Sequence, residues 1–219
     1  MKYEAFFFDF DGVILDSVNI KTKAFGKLFE KYGPEIQEKV VAHHLNHGGM
    51  PRVEKFKHYF HDFLNQKLDE KALEKLCSDF SSLVVDAVVA APEIPGVLDF
   101  IRKWQKTVSC FVISATPDTE LKEIIQRKKM AKYFLQTLGS SQTKTDHLNL
   151  LIKNNRFNPE NCIFFGDSSN DYLAACNCNV PFIGIIKNEG SSLFKDSAKI
   201  KLIRDFENLN IMNILKFNI

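Results

Sequence analysis

The stretch Phe6-Phe7-Phe8-Asp9-Phe10-Asp11-Gly12 constrains this chain more than any other. Successive side chains of a strand leave opposite faces of a sheet, so three aromatic residues in a row are buried together only in a strand covered on both sides. Such a strand has no place for carboxylates, because an isolated ionised acid in an apolar interior costs several kcal/mol or more. Asp9 and Asp11 therefore mark where the strand leaves the core, and a positive group is expected beside them.

The same texture recurs. Short apolar runs at 3–10, 108–114, 162–166 and 182–186 each stop at Asp, Ser, Gly or Lys, and 134–138 is a weaker example. They read as parallel strands buried on both faces. Helical patterns at 97–106, 117–129, 144–154 and 169–177 alternate with them, which predicts an α/β fold with a doubly wound, Rossmann-like parallel sheet. Residues 18–89 break the alternation: they carry only amphipathic helical patterns, interrupted at Gly33-Pro34 and at Gly48-Gly49-Met50-Pro51. A small α-helical domain, 17–92, is thus expected as an insert in a core made of 1–16 and 93–219. The proline-spaced segment from Ala91 to Gly96 leads back into the sheet. Asn179, before Val180-Pro181, is expected to end its helix in a left-handed conformation.

With 29 basic and 27 acidic residues the net charge is +2, which suggests no basic face for nucleic acid. Glu4 and Asp9 interrupt the N-terminal apolar run, so neither a membrane span nor a signal segment is expected, and a chain starting at Met1 in the cytoplasm is. The five cysteines lack the spacing of a zinc or redox site and are expected as free thiols. His43, His44 and His47 have no acid or cysteine among them and precede Gly48-Gly49. A helix C-terminus is the better place for them than a zinc ion.

In open parallel sheets the ligand lies beyond the carboxyl ends of the strands. The residues that end the runs there are Asp9 and Asp11, Ser114, and Asp167, and nearby helix starts add Lys144 and Asp171. Carboxylates about 4 Å apart repel by roughly 4 kcal/mol per pair at an effective dielectric near 20, so a cluster of them calls for a cation. All-oxygen ligands point to magnesium. Lys144, in the first turn of a helix capped by Thr143, opposes the helix dipole and needs an anion nearby. Asp171 has a second reading, as the acid of a capping box with Ser168.

Four motifs in order, Asp9-Phe10-Asp11-Gly12-Val13, Ile113-Ser114-Ala115-Thr116, Lys144 and Gly166-Asp167-Ser168-Ser169-Asn170-Asp171, make the chain resemble a haloacid dehalogenase superfamily phosphohydrolase. The branch it resembles contains phosphoglycolate phosphatases and β-phosphoglucomutases with a helical cap. The resemblance implies Asp9 as nucleophile and Asp11 as general acid and base. It implies Gly12, Ser114, Ala115 and Lys144 around the phosphate, and Asp9, Asp11, Asp167 and Asp171 around Mg²⁺. The acid at Asp11 sets the chain apart from the dehalogenase branch, since a halide needs no proton to leave. Ala115 stands where the family often has asparagine, so any contact of that side chain is missing. Gly48-Gly49-Met50-Pro51-Arg52 is similar to a cap specificity loop, which makes Arg52 the candidate for the part of the substrate that does not react.

The resulting expectation is a magnesium-dependent phosphatase of a small phosphorylated metabolite (a sugar phosphate, phosphoglycolate or a nucleotide), working through a phosphoaspartyl intermediate as monomer or homodimer. A phosphomutase of the β-phosphoglucomutase kind and a catalytically idle binding protein are the alternatives.

Overall fold

In the computed structural model, residues 3–186 and 200–211 are described; the parts of the expected core at 1–2, 187–199 and 212–219, Met1 among them, lie outside. Six strands form one parallel sheet: β1 (Ala5–Phe8), β2 (Ser109–Ile113), β3 (Gln136–Leu138), β4 (Cys162–Gly166), β5 (Phe182–Ile185) and β6 (Lys201–Ile203). Their order is β3-β2-β1-β4-β5-β6. From β1 the chain winds outward to β2 and β3, and then returns to β1's other side to build β4, β5 and β6. The reversal lies between β1 and β4, in register Phe8↔Phe165, and a crevice opens beyond the carboxyl ends of those strands.

The aromatic run explains why β1 is central. All four of its residues are buried. Phe6 and Phe8 belong to one apolar layer with Phe100 and Phe165, while Phe7 belongs to the opposite layer with Phe111 and Phe164. The Phe8 and Phe165 rings stack at 4.9 Å and 7°. Burying a side chain of this size contributes roughly 1.5–3 kcal/mol, so β1 anchors both layers. Helices α5 (Val97–Trp104), α6 (Asp118–Arg127), α7 (Lys144–Asn155) and α8 (Ser169–Asn177) supply the rest of those layers. The expected 3–10 run is strand only from Ala5 to Phe8, because the chain turns away at Asp9. β6 was not anticipated: three residues, none of them buried, carry no pattern.

Between β1 and α5 the chain is helical: α1 (Val18–Phe29), α2 (Pro34–Asn46), α3 (Arg52–His58) and α4 (Glu70–Ala90), with a π-helical turn, Tyr59–Phe63, after α3. Gly33, at φ 93, and Pro34 at the first helical position separate α1 from α2, as their chemistry requires. The inward faces of α1, α3 and α4 meet through Phe25, Phe56 and Phe80, with Phe25 and Phe80 at 4.4 Å. The two connections to the sheet lie side by side, Asp16 N–H donating to the Pro92 carbonyl and Ile94 N–H to Ile14, each at 2.9 Å. No helix among the described residues is long and apolar enough to cross a membrane.

Candidate active site

Asp9 is the first residue beyond β1. Its N–H bonds to the Phe165 carbonyl at 2.9 Å, and its Oδ1 accepts from the Phe10 N–H at 2.7 Å. Lys144 opens α7, whose start is fixed by the Thr143 hydroxyl accepting from the Asp146 N–H. From there its Nζ reaches Asp9 Oδ1 at 2.9 Å and Asp171 Oδ1 at 2.6 Å. The anion expected beside this first-turn lysine is thus a pair of carboxylates. Asp171 is fully buried and does two things at once. Its Oδ2 accepts from the Ser168 N–H and hydroxyl at 3.1 and 2.6 Å, closing the capping box of α8, and its Oδ1 holds Lys144.

Asp167 follows β4 and completes the group: oxygens of Asp9, Asp167 and Asp171 lie within 4.8 Å of one another. Gly12 lets Asp167 sit there. Its φ is +82°, and a Cβ on it would stand 2.0 Å from Asp167 Oδ2. The resemblance implied a place beside the phosphate for this glycine; its surroundings show room for Asp167. Burial first, then the Asp171 charge, push the Asp9 carboxyl up to about 7 against the pull of Lys144. Burial and the charges of Asp9 and Asp171 raise Asp167 well above the carboxylate range. With all three ionised, the carboxylates against one ammonium leave a deficit of two positive charges, which is why their protons are held so tightly without a cation, and hard oxygen donors suit a divalent magnesium ion.

The Asp11 carboxylate is outside this cluster, although the sequence placed it among the metal ligands. It accepts from Lys21 Nζ at 2.5 Å, from the Ser17 hydroxyl at 2.6 Å and from the Thr116 hydroxyl at 3.0 Å. Burial opposes its charge, but the Lys21 ammonium and these hydrogen bonds outweigh burial and hold its pKa below the ordinary value. The two aspartates therefore differ in state: Asp9 is crowded by negative charge, Asp11 is clamped as an anion.

Ser114 lies just past β2, buried, with its Oγ accepting from the Thr116 N–H at 3.1 Å. Ser114, Ala115 and Lys144 line a cleft of about 480 Å³ together with Gly49 and Pro51 of the insert. An adjoining cavity of about 70 Å³ is lined by Asp9, Asp11 and Asp167 of the core and by His44, Arg52 and Lys55 of the insert. The two share Gly49 and Ala115. At Gly49, φ +72°, a Cβ would come within 2.6 Å of Ser168 Oγ, so the glycine pair allows the insert to lie against the core.

Arg52 lines the cavity, yet its guanidinium is already engaged. It donates to Glu120 of α6 at 2.6 Å and to Ser81 of α4 at 2.8 Å, and lies 4.4 Å over the Phe80 ring. Both members of the Arg52–Glu120 pair are 5% exposed at the side chain. It fastens insert to core.

The sequence reading did not single out Lys21, Ser17, Lys55, His44 as a cavity residue, or Glu120. One signal was present: Arg52, Lys55, Phe56 and Tyr59 fall at i, i+3, i+4 and i+7, which puts a lysine on the apolar face of α3. The histidines also divide. The rings of His43 and His47 stack at 3.9 Å near the end of α2, while His44 turns inward against Phe25 at 4.7 Å.

A family profile described as haloacid dehalogenase-like hydrolase matches residues 6–185. Phosphoglycolate phosphatase 1 of Pseudomonas aeruginosa is 29% identical over 178 residues, 77% of this chain and 64% of that protein, so the match spans just under two thirds of the relative's length. Phosphorylated carbohydrates phosphatase of Thermotoga maritima is 24% identical over 217 residues, 95% of this chain and 98% of that one. Among solved structures, β-phosphoglucomutase of Clostridium difficile superposes with a TM-score of 0.78 at 20% identity, covering 98% of this chain and 96% of the other, which is a likeness of fold. With the matched region running from β1 to β5 and enclosing every residue of the crevice, this chain belongs to the haloacid dehalogenase-like hydrolase family.

Proposed function

We propose that this chain is a magnesium-dependent phosphatase of a small phosphorylated metabolite, working through an aspartyl phosphate on Asp9, with residues 17–92 acting as a cap domain on a core formed by 1–16 and 93–219. The observation that carries this reading is the carboxylate cluster of Asp9, Asp167 and Asp171, gathered around Lys144 and two positive charges short of neutrality. The names of the two curated relatives favour phosphate esters of small acids or carbohydrates.

Asp9, Asp167 and Asp171 would hold the magnesium ion, whose charge would offset theirs and that of the phosphoryl oxygens. Lys144 and Ser114 border the cleft where those oxygens would lie. An Asp9 carboxylate oxygen attacks phosphorus, the new O–P bond forms as the ester P–O bond breaks, and the leaving oxygen takes a proton relayed by Asp11 from its bonded partner Lys21. In the second step water attacks the aspartyl phosphate and its proton returns to the Asp11–Lys21 pair. Phosphate leaves, and both aspartates end as they began. Positioning and charge stabilisation supply most of the rate in phosphoryl transfer.

The test is phosphate release from a panel of sugar phosphates, nucleotides and 2-phosphoglycolate, with magnesium and after exhaustive chelation. Turnover that needs magnesium is expected. Full turnover in metal-free buffer, or isomerised sugar phosphate with no free phosphate, would overturn the reading, the latter in favour of a mutase.

A further inference from the structure

Three cations line the cavity between core and insert, and two of them are answered. Lys21 is paired with Asp11, and Arg52 with Glu120. Lys55 is not. It is 2% exposed, and its Nζ meets uncharged groups, His44 Nδ1 at 2.8 Å and the face of the Phe25 ring, 5.4 Å to the centroid. Among the described residues no carboxylate forms an ion pair with it. A buried charge without a partner is costly, and the usual remedy, an acid on a neighbouring helix, is present for Arg52 and lacking for Lys55 three residues on.

His44 sharpens the point. Burial first, then the Lys55 charge, push its pKa down to about 3, so the ring is neutral. An ammonium can only donate, so Nδ1 accepts from Lys55 and the ring proton sits on Nε2. That Nε2 is buried without a partner. Two adjacent residues of one cavity therefore hold donors that lack an acceptor. The charges that act on Lys55 belong largely to the core site: Lys21, Asp11, Asp167 and Lys144.

We infer that Lys55, supported by His44, forms a subsite for a second anionic group on the substrate, a carboxylate or a second phosphate, carried a few bonds from the phosphate ester that meets Asp9. The inference rests on the phosphatase reading and goes beyond it, because it names the substrate class and moves the discriminating cation from Arg52 to Lys55. A cavity of about 70 Å³ between core and insert limits that substrate to a compact molecule.

The experiment compares four esters on the full chain with magnesium: 2-phosphoglycolate, 1,2-ethanediol bisphosphate, 2-hydroxyethyl phosphate as the uncharged match, and para-nitrophenyl phosphate. Wild type should favour one of the first two over 2-hydroxyethyl phosphate by about 100-fold in kcat/KM, as a site with buried polar groups rejects an analogue that cannot satisfy them. The favoured one tells carboxylate from phosphate. Lys55→Met should bring that preference down to roughly threefold, leaving 2-hydroxyethyl and para-nitrophenyl phosphate within about threefold of wild type, while Lys55→Arg keeps a preference of at least about tenfold. An equal loss on all four esters, a preference that survives Lys55→Met, or no preference in wild type overturns the subsite. Should wild type hydrolyse none of them, the phosphatase reading fails. The subsite is then decided by Tm: a rise with 2-phosphoglycolate or the bisphosphate that disappears in Lys55→Met supports it, and no rise sinks it.

Discussion

The core crevice and the insert face it across one cavity, and their charges are unbalanced in opposite senses. In the core, Lys144 is bonded to both Asp9 and Asp171, Asp11 is held by Lys21, and what remains is negative charge at Asp9, Asp167 and Asp171. In the insert, Arg52 is answered by Glu120 and Lys55 is answered by no acid among the described residues. Paired charges such as Arg52–Glu120 fasten one element to another. In the proposed reading the unbalanced ones mark what each side receives, a cation and a phosphoryl group in the core and an anion in the insert.

The largest effect should come from the core. Asp9→Asn removes the attacking oxygen, and phosphate release should fall by at least about 10⁴-fold, since the loss of a group that forms the covalent intermediate leaves only binding and field effects. Asp11→Asn keeps the nucleophile and loses proton transfer, worth about 10²–10⁴-fold. With an aryl phosphate, whose leaving group needs little protonation, that variant should accumulate a phosphoenzyme, seen by mass spectrometry as one added phosphate on the peptide containing Asp9. A label on any other residue would break the assignment of roles within the core.

Next comes the fastened cation. Arg52→Ala leaves Glu120 buried and unpaired, and breaking such a pair costs about 3–5 kcal/mol. Urea unfolding should show that loss, and Glu120→Gln in the Arg52→Ala background should recover part of it by removing the stranded charge. If Arg52→Ala instead leaves stability unchanged and raises KM only for doubly anionic esters, Arg52 and not Lys55 is the cation that reads the substrate.

The smallest effect belongs to Lys55, and its sign is opposite. Burial first, then the charge of Lys21, push the Lys55 ammonium down to about 7 from 10.5. Between those two values the unfolded chain holds a proton that the folded chain has given up, so stability rises with pH across that window and the full penalty is felt below pH 7. Lys55→Met should therefore stabilise the ligand-free protein by about 1–3 kcal/mol at pH 6, a few degrees in Tm. The gain should vanish as pH is raised towards 10.5. A Tm below wild type at pH 6 would show that Lys55 serves the fold, and the contrast between the two insert cations would be lost.

The α/β class, the helical insert and the crevice residues were legible because each rests on local pattern. Three phenylalanines before Asp9 demand a doubly covered strand, Ser168 and Asp171 at capping-box spacing start α8, and Asn179 does end its helix with φ 55. β6 was not legible, since a three-residue edge strand is made by its neighbour and not by its own side chains. The resemblance put Gly12 beside the phosphate, whereas the side chain for which it leaves room, Asp167, is 155 residues away in sequence.

The amino-acid sequence by itself determined which residues reach the crevice, because strand ends and helix starts follow from periodicity and capping, and both are properties of a few consecutive residues. It did not determine which of those charges would be paired. Arg52 and Lys55 sit one turn apart on α3 and look alike in one dimension; only the packing of α3 against α4 and α6 brings Ser81 and Glu120 to the first and leaves the second facing His44. Coulomb interactions depend on distance in space and take no account of separation along the chain, so which charges are paired is settled by how the insert packs on the core.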